Sequence, residues 1–350
     1  MTSTMRAYRI ESWLTPARLV EVPVPVPGAG QVRVRVAGCG LCHSDLAMGQ
    51  VPAEVGAAIG WTVPFTLGHE TAGWVDAMGA GVTGLAEGDA VALASPASCG
   101  VCRWCRRGLE NACPAGLVGR GYGRDGGLAD YVLVDDACRA VFPLGLVDPA
   151  LAGPLTDAGA TSHHAVRRVL PRLHGDGTAV VLGVGGLGGF VVQLLRALAD
   201  VRVVAIDPRP DRRAAALELG AHYALAGVDD DTPARLRSLL DADPVDAVID
   251  VVGTDATIAL GASLVSPAGA LAVVGAAGGT LRRPWFGGLP RDADVFSFQG
   301  SDRADARAVL ALAADKRIRV DVEPFLLDQV AGAYAALQAG TLGGRAVVRP

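Results

Sequence analysis

Residues 178–199 of this 350-residue chain set an apolar run, TAVVLG, directly before a glycine cluster, GVGGLG 183–188, and a second apolar stretch. The stretch from Thr178 to Leu195 is long enough to cross a bilayer, but five glycines interrupt it near the middle. A buried strand, a glycine turn and the start of a helix explain it better, because strands covered on both faces of a parallel sheet read as continuous apolar runs. Further β-rich runs, VRVVAID, VDAVIDVVG and ALAVVG, alternate with helical sequence. One of the helical stretches, DRRAAALELG, stops at Gly220. The alternation predicts an α/β fold with a doubly wound parallel sheet, the Rossmann arrangement, over 158–298.

Gly183, Gly185 and Gly188 form G-x-G-x-x-G between that strand and helix, with Gly186 and Leu187 completing the turn. Such glycines allow a tight turn and close backbone approach, which sets a pyrophosphate on the helix N-terminus. Asp207 follows 19 residues after Gly188, where a carboxylate accepts from the adenosine ribose and repels a 2′-phosphate. NAD(H) is therefore expected rather than NADP(H), with Arg209 able to soften the preference.

The first 150 residues read differently. VRVRV, GWVDAM, DAVAL and DYVLVD are short alternating runs separated by Gly and Pro, which predicts an irregular β-barrel. After Gln299 come two helices, near Ala304 to Ala314 and Val330 to Gln338, and a final strand, AVV. Hydrophobic residues make up 51% of the chain, enough for two cores. The 31 basic and 36 acidic residues leave no basic field for nucleic acid or an anionic membrane, so a small molecule is the expected partner. The single lysine, Lys316, excludes a P-loop.

Seven cysteines and an amino terminus without an apolar signal segment point to metal ligation in a reducing, cytoplasmic setting. Cys99, Cys102, Cys105 and Cys113 form C-x2-C-x2-C-x7-C. Four thiolates on so short a loop suit a closed, structural zinc site, with a disulfide or redox cluster and an iron–sulfur cluster as the alternatives. Cys39, Cys42 and Cys138 remain. Cys39 and Cys138 are expected to be buried thiols, and Cys42 to work with ligands of other types.

GCGLCHSD (38–45), GHETAGWVDAMGAGV (68–82), the four-cysteine loop, PLTDAGAT (154–161) and GVGGLG occur in that order. The chain thereby resembles the zinc-dependent medium-chain alcohol dehydrogenases, particularly bacterial secondary-alcohol dehydrogenases. The resemblance implies a GroES-like catalytic domain, residues 1–157 completed by 299–350, beside the Rossmann domain. It also implies a catalytic zinc on Cys42, His69 and Asp157, with Asp45 and Glu70 as acids supporting the ligands. His43 and Arg345 would touch the cofactor pyrophosphate, Thr161 would pack near the nicotinamide, and backbone around Val274 would hold its carboxamide. His163 and His164 are read as structural.

The implied reaction is hydride transfer between NAD(H) and a secondary or bulky alcohol or ketone, or an aldehyde, with Ser44 receiving the hydroxyl proton. Ala47 stands where some relatives have a histidine to extend the proton path. The expected substrate pocket takes in Ala47, Trp61, Ser95, Phe298 and Gln299, roomy and mostly apolar. Zn2+ at two sites and NAD(H) are the expected cofactors, and a homodimer or homotetramer the expected assembly. A reductase of polarised C=C or C=N bonds is the alternative, and a non-catalytic nucleotide-binding protein the distant one.

Overall fold

A computed structural model describes residues 3–95, 97–284 and 286–350. The chain divides into two compact units, Met1–Ala160 with Gly300–Pro350, and Thr161–Gln299. The first break falls within the helix Ala158–Val169, and the second lies next to Gln299.

The first unit is organised on a seven-stranded sheet. Val32–Gly40 is central, flanked by Glu70–Met78 on one side and by Arg345–Arg349 on the other, with Tyr131–Val134 also pairing to it. The alternation of VRVRV is the cause of its placement: Val32, Val34 and Val36 are at most 4% exposed. Arg33 and Arg35 take the opposite face, with their guanidinium groups over Tyr131 and Trp74. Burying each such valine contributes about 1.5–3 kcal/mol, so the strand register is set by its apolar face. A smaller sheet joins Thr4–Ile10 to Arg18–Pro23 and to Phe65–Thr66.

The second unit carries six parallel strands in the order Tyr223–Leu225, Arg202–Ile206, Thr178–Leu182, Val245–Asp250, Val265–Val273 and Asp294–Ser297. The order reverses beside Thr178–Leu182, the arrangement that opens a crevice at the strands' C-terminal ends. Thr178–Leu182 is buried throughout, which is why its sequence shows no alternation. The helix Gly188–Leu198 follows after the glycine turn. Among the described residues no helix is long and apolar enough to cross a membrane.

Elements that went unread in the sequence of this unit include Tyr223–Leu225, the helix Thr232–Leu239 and Asp294–Ser297. The first and last are short sheet edges with exposed positions, and the apolar stripe of the helix is thin, with Thr232 and Leu236 its buried residues.

Candidate active site

Cys42 precedes the short helix His43–Met48 in extended conformation, and its backbone N–H donates to Asp45 Oδ2 at 3.0 Å. One hydrogen bond thus ties the thiol-bearing residue to the acid three positions later. His69 lies between Phe65–Thr66 and Glu70–Met78, and Asp157 follows the turn Gly153–Leu155. One ligand atom each from Cys42, His69, Glu70 and Asp157 falls within a set no wider than 4.8 Å.

The imidazole has a carboxylate close to each ring nitrogen. Asp45 Oδ1 is 3.0 Å from Nδ1, with both side chains fully buried, and Asp157 Oδ2 is 3.5 Å from Nε2. Burial opposes a charge on His69, but Tyr122, Asp45 and Asp157 together raise its pKa well above the ordinary value. Burial also works against the Asp157 carboxylate, and there His69 and the Ser95 hydroxyl more than reverse it, leaving the pKa low. A cysteine sulfur, an imidazole with a carboxylate beside its second nitrogen and a carboxylate make a donor set suited to zinc.

Several residues take places the sequence did not foretell. Ser95, expected on a pocket wall, is 2% exposed and donates to Asp157 Oδ1 at 3.1 Å, so its hydroxyl serves the candidate ligand. Arg345, expected at the pyrophosphate, spends Nη2 on both oxygens of Glu70 at 2.5 and 2.6 Å and on the Leu41 carbonyl. Burial pushes the Glu70 pKa upward against the pull of Arg345. Trp61 packs into the core edge-on to Phe65, and its indole N–H donates to Leu117 O at 2.6 Å. Ala47 is exposed.

Tyr122 is the residue that sequence reasoning missed. Its hydroxyl is 3.4 Å from Ser44 Oγ and its ring centroid 4.6 Å from that of His69. Ser44 Oγ is in turn 3.5 Å from His69 Nε2. The flanking pattern GYG offers a turn signal, but nothing in it points across 78 residues to Ser44.

The four-cysteine loop is compact. Sγ of Cys99 and Cys105 are 4.0 Å apart, and those of Cys102 and Cys113 are 3.9 Å apart. Tetrahedral zinc with bonds of about 2.3 Å requires sulfurs roughly 3.8 Å apart, whereas a disulfide brings them to about 2 Å. All seven cysteines are free thiols. Backbone amides of Cys99, Cys102 and Cys105 donate to Sγ of Cys113, Cys99 and Cys102. Amide donation from Val101 and Cys102 lowers the Cys99 thiol to about 6. Cys39 is buried as expected, but Cys138 is exposed, because the helix Ala137–Ala140 turns Ala137 and Ala140 inward instead.

In the second unit the glycine turn fits a pyrophosphate. A Cβ on Gly188 would lie 1.9 Å from the Gly183 carbonyl oxygen, so the fold itself demands glycine there. A Cβ on Gly185 would meet nothing within 4 Å, which leaves open backbone ahead of the helix. Gly186 is exposed beside it, and the Leu187 carbonyl accepts from Ser162 Oγ at 3.1 Å. Asp207 is 7% exposed; Oδ2 accepts from Val184 N–H and Oδ1 from Arg209 N–H. Those bonds join the carboxylate to the glycine turn, while the Arg209 side chain pairs with Asp211. Thr161 is buried, and Val274 N–H donates to the Asp250 carbonyl. Phe298 packs on His164, with ring centroids 4.5 Å apart, and Gln299 is exposed. His43, in the first unit, is exposed, and partial burial and Arg345 lower its pKa.

A parallel nucleotide-type sheet, a β-rich unit, a four-cysteine loop and a Cys–His–Asp cluster define a metal-binding dehydrogenase. The family described as Alcohol dehydrogenase GroES-like domain matches residues 28–144, and that described as Zinc-binding dehydrogenase matches residues 186–315. An NAD-dependent alcohol dehydrogenase of Sulfurisphaera tokodaii is 32% identical, with 79% of this chain and 80% of the relative covered. The solved alcohol dehydrogenase of Aeropyrum pernix superposes with a TM-score of 0.89 at 30% identity, covering 99% of this chain and all of the other. Acetophenone reductase from Geotrichum candidum, solved with NAD, gives a TM-score of 0.86 at 26% identity, covering 100% and 98%. The chain belongs to the zinc-dependent medium-chain alcohol dehydrogenase family.

Proposed function

We propose that this protein is an NAD-dependent oxidoreductase that interconverts alcohols and carbonyl compounds, with secondary or bulky alcohols and ketones as its substrate class. The observation that carries the reading is the gathering of Cys42, His69 and Asp157 in one cluster with the Ser44 hydroxyl beside it. When bound, zinc supplies a Lewis acid and NAD(H) supplies the hydride chemistry.

The chain's own groups do the rest. Cys42 and Asp157 bring two negative charges that balance a dication, and Asp45 orients His69 through Nδ1. Ser95 holds one oxygen of Asp157 and leaves the other toward His69. Ser44 Oγ would accept the proton of a substrate hydroxyl while passing its own proton on through the cofactor ribose toward solvent, and would run the same exchange backward in the reductive direction. The open backbone at Gly185 and the helix behind it would hold the pyrophosphate, with Asp207 facing the ribose. Glu70, His43, Thr161 and Val274 are assigned supporting roles toward zinc or cofactor. The four-cysteine loop would hold a second, structural zinc, for which its sulfur spacings are suited.

The test is NADH oxidation by purified enzyme with ketones, imines and enones, starting from acetophenone, and NAD+ reduction with the matching alcohols. Turnover of ketones, abolished by Asp157→Ala and reduced by Ser44→Ala, supports the reading. Turnover of imines or enones alone would replace it with C=N or C=C reduction. Two zinc ions per chain are expected; one ion, confined to the loop, would argue for a non-catalytic protein. Use of cysteines for metal rather than disulfides favours a reducing compartment, the cytosol. A homodimer or homotetramer is expected in light scattering.

A further inference from the structure

Ser44 can receive a proton well only if a lone pair faces the substrate, and a serine hydroxyl on its own rotates freely. Ser44 lies in the first turn of a six-residue helix and is itself only partly buried, so packing alone does not settle its rotamer. Among the described residues, Oγ has side-chain hydrogen-bond contacts with His69 Nε2 at 3.5 Å and the Tyr122 hydroxyl at 3.4 Å. The first belongs to a candidate metal ligand and is not free to hold the serine. Tyr122 remains.

The phenol is well fixed for that task. Its ring rests against His69 on one side, and the Trp61 ring centroid is 6.3 Å away. The main chain around it is equally constrained. Tyr122 and Gly119 exchange both backbone hydrogen bonds at 2.9 Å. Gly121 and Gly123 have φ of +77° and +75°, and a Cβ on either would run into Gly68 backbone or the Trp61 side chain below 3 Å. The tyrosine is thus clamped between two residues that must be glycine, with its hydroxyl presented to Ser44.

We propose that Tyr122 is a positioning residue of the reaction, its hydroxyl holding Ser44 in the rotamer that exchanges a proton with the substrate oxygen. The inference rests on the proposed alcohol dehydrogenase activity and on Ser44 as the proton acceptor within it. Either hydroxyl can donate in the pair; the contact removes the rotation in both cases. The observed separation is long for an O–H···O bond, and catalytic contacts of this kind shorten when substrate is bound.

The test is the single-turnover rate of NADH formation, taken with the secondary alcohol that the substrate screen turns over fastest, in a double-mutant cycle of Tyr122→Phe and Ser44→Ala. Tyr122→Phe should slow that rate about five- to tenfold, the scale of one neutral hydrogen bond, with KM changed less than about twofold. Within Ser44→Ala the second substitution should add nothing, because the group it positions is gone. Melting temperature and zinc content of Tyr122→Phe should match the parent, which separates positioning from packing. Independent, multiplying effects, a change confined to KM, or an unaltered rate would each overturn the role of Tyr122. If Ser44→Ala itself leaves the rate unchanged, the proton path fails instead.

Discussion

The loop from Cys99 to Cys113 draws all four of its sulfurs from 15 consecutive residues, whereas Cys42, His69 and Asp157 come from three segments of the first unit. In the loop three of the four sulfurs, those of Cys99, Cys102 and Cys113, accept from its own backbone amides. The dispersed cluster relies on side chains from elsewhere, with Asp45 behind His69, Ser95 behind Asp157 and Arg345 on Glu70. Four filled positions make a site that only holds metal. Three ligands with acids and hydroxyls around them make one at which a substrate oxygen has a place. The same ion would therefore serve stability in one cluster and chemistry in the other, according to what the protein leaves open.

Substitutions can break this contrast at either end. Asp157→Ala should lower turnover by about a thousandfold or more and reduce zinc from two ions per chain to one, as read by steady-state kinetics and elemental analysis. Retention of both ions and full activity would remove Asp157 from the ligand set. Asp45→Asn keeps the shape but weakens the hold on His69, so zinc affinity at the catalytic cluster should fall about 10- to 100-fold in chelator competition, with loop zinc unaffected. Ser95→Ala takes one hydrogen bond from a charged oxygen, and a loss in turnover of about tenfold is expected. The smallest catalytic effect should come from Cys102→Ser in the loop. Its melting temperature should drop by several degrees, at about 2–4 °C per kcal/mol for units of this size, while turnover per folded chain stays close to the parent. Equal loss of activity in Cys102→Ser and Asp157→Ala would show that the two clusters are not separable.

What was readable in the sequence follows the same division. Local patterns came through: the cysteine spacing, the apolar run that became Thr178–Leu182, and the glycine turn before Gly188–Leu198. Their physics lies within a few residues, so spacing carries it. The long-range partnerships did not come through on residue types alone. Nothing near Ser95 signals Asp157, 62 positions away, and nothing near Arg345 signals Glu70, 275 positions away. Cys42, His69 and Asp157 were assembled only because the order of several motifs resembled a known family. Tyr122 fell outside those motifs and was passed over, although its ring touches one candidate ligand. Cys138 was misjudged because four helical residues are too few for periodicity to show which face turns inward.

The contiguity of the cysteine loop also bears on the order in which the molecule is assembled. Closing a 15-residue segment around an ion costs little chain entropy, so its thiolates can gather metal while the rest of the chain is still unfolded. The segments bearing Cys42 and His69 are brought together by the pairing of Val32–Gly40 with Glu70–Met78 across the central sheet, a contact between residues far apart in the chain. Metal would thus enter one place as a nucleus around which the chain can collapse, and the other as a late arrival that finds the surrounding architecture finished.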